Sequence, residues 1–193
     1  MKKAKKTIEI DDAGTGDLIG DAFIGFHVVE TGKIIFKSVP VGLYNEENLK
    51  NNAPKKRILE IVKEGLKELD YQPGDIIYLC SGDCFDLVRE YFDENNIKYI
   101  TSKIEGKLQD AVEGRFVSHL RKLGVRSKKL TKKAGAQRYF VLWNWLCEDF
   151  PARERFVKKG YKSWKNRRRQ MAIERYQRNM QKKQNKRENQ KKR

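Results

Sequence analysis

The 193-residue chain carries 43 Lys and Arg against 26 Asp and Glu, a formal net charge of +17, with a pI near 9.8. That length holds one domain with a full core plus an appendage and leaves little room for two, while the charge points to a polyanionic partner, because Lys and Arg that neutralise phosphates gain affinity by releasing condensed counterions. No apolar run approaches the roughly 20 residues that span a bilayer, and Met1–Lys6 leads into a strand pattern in place of a signal-peptide core, so a soluble cytoplasmic protein with no membrane partner is expected.

Thr7 to Ala13 alternates into an apolar strand, and the β-rich runs Asp21–Glu30 and Lys33–Val41 meet across Thr31-Gly32, a hairpin signal. A polar loop over Asn45–Asn52 precedes a helix opened by Pro54, whose Ile58, Ile61, Val62, Leu66 and Leu69 share one face. Asp75–Cys80 (DIIYLC) reads as a buried strand, Phe85–Glu94 as a helix, Lys98–Thr101 as a short strand and Glu105–Leu123 as a helix. Strands followed by alternating helix and strand imply an α/β fold, a mixed sheet with helices on its faces. Beyond it, Arg126–Lys133 is a basic loop and Ala134–Glu148 a helix with Phe140, Trp143 and Leu146 apolar. Pro151 opens a further segment.

The charge is unevenly placed. From Phe150 to Arg193 there are 18 basic and three acidic residues, which leaves 25 basic and 23 acidic before them. The body is near neutral and the arm carries the excess. Residues 1–125 are expected to form the core, 126–164 a helical extension packed on it, and 165–193 a basic arm, helical or disordered. The three cysteines, Cys80, Cys84 and Cys147, show no spacing for zinc or a disulfide framework and read as reduced, mostly buried thiols.

The most informative stretch is Ile8-Glu9-Ile10-Asp11-Asp12-Ala13-Gly14-Thr15-Gly16, with Gly20 beyond it. Two acids end an apolar strand, and a turn of small residues follows. Carboxylates then stand at a sheet edge where backbone N–H groups can approach a phosphate; the bland alternative is that the acids cap a turn. The order βββ-α-β-α-β-α is that of the ribonuclease H-like superfamily, with its five-stranded mixed sheet. The segment Asp11-Asp12-Ala13-Gly14-Thr15-Gly16 with Gly20 resembles the first active-site segment of type 2 ribonucleases H (ribonucleases HII and HIII), with Asp12 where those families usually carry Glu.

The resemblance implies hydrolysis of a phosphodiester by two Mg²⁺ or Mn²⁺ ions about 3.5–4 Å apart, held by carboxylates. The third ligand would come from Ser81-Gly82-Asp83-Cys84-Phe85-Asp86. The family places an Asp directly before the glycine; here Ser81 stands there, so Asp83, with Asp86 as alternate, would serve from a shifted position unless Asp83 simply N-caps the next helix. Lys103-Ile104-Glu105-Gly106-Lys107 resembles the family's K-x-D-x-K, which makes Glu105 the fourth ligand. At roughly 100° per residue Glu105 shares a face with Leu108, Val112, Phe116, Leu120 and Leu123; the alternative is a favourable charge at a helix N-terminus. Asp110 and Glu113 fit the helix acids of the Holliday-junction resolvase branch. Lys162-Ser163-Trp164-Lys165 resembles the R-K-S-W-K near the end of archaeal ribonucleases HII.

The resulting expectation is a metal-dependent endonuclease acting on RNA·DNA hybrids or structured RNA. Asp11, Asp12, Asp83 and Glu105 would hold the metals. Gly14, Thr15 and Gly16, together with Lys162, Ser163, Trp164, Lys165, Arg167, Arg168 and Arg169, would contact nucleic acid. The alternatives are an RNA-binding protein that kept the fold without catalysis, and a junction or repair nuclease. His27 and His119 read as a core or edge histidine and a surface histidine. Tyr139, Trp143 and Trp145 are either core or base-stacking aromatics, with core the better reading for Trp143.

Overall fold

The computed structural model describes residues 5–131 and 133–191. Three antiparallel strands open the chain, β1 (Thr7–Ala13), β2 (Ala22–Val28) and β3 (Lys33–Val39), with Gly32 at φ +70° in the β2–β3 turn. Helices α1 (Glu46–Lys50) and α2 (Ala53–Glu68) carry the chain across the sheet to β4 (Ile76–Cys80), α3 (Asp86–Glu94) and β5 (Tyr99–Ser102). The helix α4 (Lys107–Lys122) covers the opposite face. The sheet order is β3-β2-β1-β4-β5, with β4 and β5 parallel to β1 and to each other, which is the ribonuclease H-like arrangement. The chain continues through α5 (Ala136–Glu148), α6 (Phe150–Arg153) and α7 (Arg169–Lys191). No helix among the described residues is long and apolar enough to cross a membrane.

All seven residues of β2 are buried, so this strand is covered on both faces. On one side Ile8, Ile10 and Phe26 meet Ile58, Ile61 and Val62 of α2; on the other Ala13 and Phe23 meet Val112, Phe116 and Leu120 of α4. The second cluster continues into Trp145, Leu146, Phe150, Trp164 and Ala172, so the C-terminal helices share one core with the sheet.

Three local readings change, and the arm takes one of its two expected forms. Asn45–Asn52 is not all loop, because the Asn45 side chain accepts from Asn48 N at 2.8 Å and caps α1. Gly106, at φ +75° and ψ −130°, holds the chain out of helix, so α4 starts at Lys107 and Glu105 lies outside it. In α5, Phe140 is 59% exposed while Trp145 is buried, which rotates the buried face onto Arg138, Val141, Leu142 and Trp145. The arm is helical, and its first turns place Ala172, Ile173 and Tyr176 against the core.

Gly65 sets how closely α2 approaches the sheet, since a Cβ there would stand 2.4 Å from the ring of the fully buried Phe26. Mid-helix, Gly→Ala normally gains about 1 kcal/mol, and overpacking costs about 1–3 kcal/mol. Gly65→Ala is therefore expected to lower stability by up to about 2 kcal/mol in urea unfolding, against its helix propensity. A raised midpoint would show that α2 is free to move off the sheet.

Candidate cation site and basic surface

Strand alternation puts Ile8, Ile10 and Asp12 on the α2 side of β1 and Glu9 and Asp11 on the α4 side. At the strand's C-terminal end the two carboxylates converge. The parallel register Ile10↔Leu79 sets Cys80, the last residue of β4, beside Asp11. One ligand atom each from Asp11, Asp12 and Cys80 lie within 4.8 Å of one another.

Burial dominates the electrostatics here. It pushes Asp11 up to about 6, with a hydrogen bond from the Cys80 thiol pulling the other way and the charge of Asp12 adding to the rise. Asp12 is raised for the same first reason, although Thr15 Oγ1 donates to its Oδ2 at 2.5 Å and Cys84 Sγ to its Oδ1 at 3.4 Å. The Cys80 thiol is pushed up to about 12 by burial, the two aspartates adding to it. Carboxylates kept together at a cost in this way gain most from a cation between them. Beside Asp12 opens a cavity of about 360 Å³ lined in part by Thr15, Tyr44, Asp83, Cys84 and Tyr161. The Tyr44 hydroxyl is buried without a hydrogen-bond partner among the described residues, a state that costs about 1–3 kcal/mol.

The turn after β1 is held from far along the chain. Gly14 lies at φ +83° with the Phe116 ring where a Cβ would project. Lys158, fully buried, donates from Nζ to Gly14 O at 2.7 Å and Asp17 O at 2.9 Å. The backbone around it pairs with the same loop, Gly20 N with Phe156 O at 2.8 Å and Lys158 N with Leu18 O at 2.9 Å. The Tyr161 hydroxyl donates to Thr15 O. Arg138, 1% exposed, grips Asp17 with two bonds of 3.0 and 2.6 Å and Glu113 with one of 2.5 Å. Sequence reasoning singled out none of Cys80, Lys158 or Arg138 for the site.

The expected ligands are divided by this geometry. Asp11 and Asp12 meet. Asp83 is exposed on the cavity wall, outside the 4.8 Å cluster, and does not cap α3 through its side chain. Glu105 is exposed and paired with Lys103, which holds its carboxyl below the usual range, and not on the buried face of α4. Asp86 is bound by Lys55 at 2.6 Å and Arg89 at 2.5 Å. Glu113 is engaged by Arg138, and Asp110 is exposed. The four-carboxylate cage for a pair of hard cations is not assembled among the described residues; those present fit one ion between two carboxylates and a thiol.

Gly14 offers its backbone inward, to Lys158, whereas Gly16 is exposed with nothing within 4 Å of its Cβ position. Trp164 is not a nucleic-acid contact: it is 2% exposed and stacks on Phe150 at 6.2 Å. Trp145 is likewise core. Lys162, Ser163, Lys165, Arg167 and Arg169 are exposed, with Lys165 paired to Glu46 and Arg169 to Glu154, both at 2.6 Å. Arg168 lies over the Tyr139 ring, which also stacks on Trp143. His119 is a structural acceptor and not a surface group, since Asp21 N donates to its Nε2 at 3.1 Å, and burial lowers its pKa. His27 is buried within the sheet, with Nδ1 2.7 Å from Glu9 Oε2. A scan against protein-family models gives no match, and no curated protein matches the chain.

Burial lowers the pKa of Lys158 from 10.5 to about 7. Between those values the unfolded chain holds the proton and the folded chain has released it, so rising pH favours folding through this group. The stability of wild type relative to Lys158→Met, followed by urea unfolding from pH 7 to 10, is expected to increase with pH, by up to about 1.4 kcal/mol per unit. A flat difference would mean that Lys158 stays charged in the fold.

Proposed function

We propose that this chain is a divalent-cation-dependent nuclease on a ribonuclease H-like fold, acting on an RNA·DNA hybrid or structured RNA at the Asp11–Asp12 end of β1. One observation carries this reading: two adjacent, largely buried carboxylates at the C-terminal end of the central strand, their pKa values raised, beside a turn whose backbone is fixed by Lys158 and Tyr161 from far along the chain. A cation bound there supplies a Lewis acid for a phosphate oxygen and a more acidic water.

The chain's own residues do the rest. Asp11 and Asp12 provide the anionic ligands, and Thr15 Oγ1 and Cys84 Sγ orient Asp12. Lys158 and Tyr161 hold the Gly14–Asp17 backbone in one conformation, leaving Gly16 accessible to a sugar–phosphate. Lys162, Lys165, Arg167, Arg169 and the basic helix α7 add phosphate affinity that positions a strand without reading its sequence.

A second reading, an RNA-binding protein that does not cut, is favoured by Cys80 and Ser81 standing where a third acid is expected. The resolvase alternative loses support, because Glu113 is committed to Arg138.

The test is cleavage of labelled RNA·DNA hybrid, duplex DNA, single-stranded RNA and a four-way junction with Mg²⁺, Mn²⁺ or Co²⁺. Cutting is expected on the hybrid or RNA and to fall by about 100-fold or more in Asp11→Asn. Tight, salt-sensitive binding with no cutting by either protein supports the second reading instead.

Truncation after Gln181 spares the packed turns of α7 and removes seven basic residues and one acidic residue. It is expected to leave the thermal melt unchanged and to flatten the log–log salt dependence of duplex binding by about 0.9 for each phosphate that the arm had neutralised. An identical slope would give the arm no part in binding.

A further inference from the structure

We infer that the Asp11–Asp12–Cys80 site selects a single borderline, thiophilic divalent cation of the zinc, cobalt or cadmium class, with the Cys80 sulfur as a direct ligand, over Mg²⁺. The inference rests on reading this cluster as a cation site and goes on to name its ion.

The donor set is the first argument. Mg²⁺ demands an octahedron of oxygens and dehydrates reluctantly, whereas thiolate donors favour softer ions. Here two carboxylates meet one sulfur. Of the acids that could complete an oxygen cage, Glu113 and Asp17 are committed to Arg138, Asp86 to Lys55 and Arg89 and Glu105 to Lys103, while Asp83 stands on the cavity wall outside the cluster.

Geometry is the second. Tetrahedral ligands at zinc-like distances, about 2.1 Å for oxygen and 2.3 Å for sulfur, lie about 3.6 Å apart. Ligand atoms already within 4.8 Å therefore need only a small contraction, available from side-chain torsions of Asp11 and Cys80 at their strand ends. On binding, the Cys80 S–H bond gives its proton to solvent as the sulfur–metal bond forms, so each ion bound through sulfur releases one proton.

The third observation lies outside the cluster. Tyr44 is 4% exposed, and its hydroxyl has no hydrogen-bond partner among the described residues. It lines the cavity that Asp12 and Cys84 also line. A polar ligand in that cavity, such as water on the cation's open position, gives the hydroxyl the partner it lacks. Cys84 donates to Asp12 Oδ1 and acts as a positioning residue.

The experiment titrates the full chain with Cd²⁺ and with Co²⁺, following the sulfur-to-metal charge-transfer absorbance, alongside calorimetry with Mg²⁺. Wild type, Cys80→Ser, Cys84→Ser and Cys80→Asp are compared, each with a circular-dichroism spectrum to verify folding. The band is expected in wild type and Cys84→Ser and absent in Cys80→Ser. Cys80→Asp is expected to lose the band and gain about tenfold or more in Mg²⁺ affinity, matching an oxygen cage. A band that persists in Cys80→Ser, or Mg²⁺ that displaces Cd²⁺ from wild type at equal concentration, overturns the inference. The two levels separate cleanly: Mg²⁺ binding with no band defeats the ion class alone, whereas the absence of both a band and Mg²⁺ heat defeats the cation reading of the site itself.

Discussion

The Lys158 side chain is the constraint on which the site depends. A buried amine with both of its bonds directed at Gly14 O and Asp17 O fixes the turn that follows β1, and that turn sets where Thr15, the hydroxyl donor to Asp12, stands. An amine is suited to the task because it donates several bonds from one point, and in its neutral form it avoids most of the cost of a buried charge. The nearby positive charge is supplied by Arg138, whose fork is matched by two bonds to Asp17 and one to Glu113. Arg138 thereby removes Asp17 and Glu113 from competition for a cation at Asp11 and Asp12.

This division of labour explains why the C-terminal helices share a core with the sheet. Lys158 lies between α6 and α7, and Trp164 stacks on Phe150 while Ala172 is fully buried. These contacts anchor the segment that carries Lys158 and Tyr161, so packing around Trp164 acts on the Gly14–Asp17 turn through the backbone. Gly160 belongs to the same device: a Cβ there would stand 2.6 Å from the Asn45 backbone, so the segment lies close against the start of α1. The run Lys162 to Lys165 thus serves the fold through Trp164 and presents its two lysines to solvent.

The fold was readable because its signals are local: the alternation of Thr7–Ala13, the hairpin at Gly32 and the spacing of Ile58, Ile61, Val62 and Leu66 each act within a few residues. The Asp11–Asp12 half of the site was readable for the same reason. Cys80 was not, because its place beside Asp11 is set by strand register, which the apolar run DIIYLC leaves open. Glu105 was misplaced because helical periodicity was extended through Gly106, whose positive φ ends it. Lys158 carries no sequence signal of its own within a basic stretch. Arg138 did carry one: it shares the i, i+3, i+4, i+7 spacing of Val141, Leu142 and Trp145, and a charge on a core face calls for a buried partner.

The near-neutral body and the basic arm make physical sense together. Helix α7 is tied to α5 through Arg175 on Asn144 Oδ1 at 2.7 Å and Asn179 on Cys147 O at 3.4 Å. From Gln181 to Gln190 every residue is exposed, over a span of about 15 Å at the helical rise. Around that stretch like charges recur four apart, Arg178 with Lys182, Lys182 with Lys186 and Lys183 with Arg187, a spacing that weakens a helix in water. On the proposed reading, a polyanion lying along α7 would remove this repulsion and so stabilise the helix as it binds. Salt acts on the two in opposite senses: it screens the repulsion within the free arm, and it would weaken the attraction of a polyanion for it.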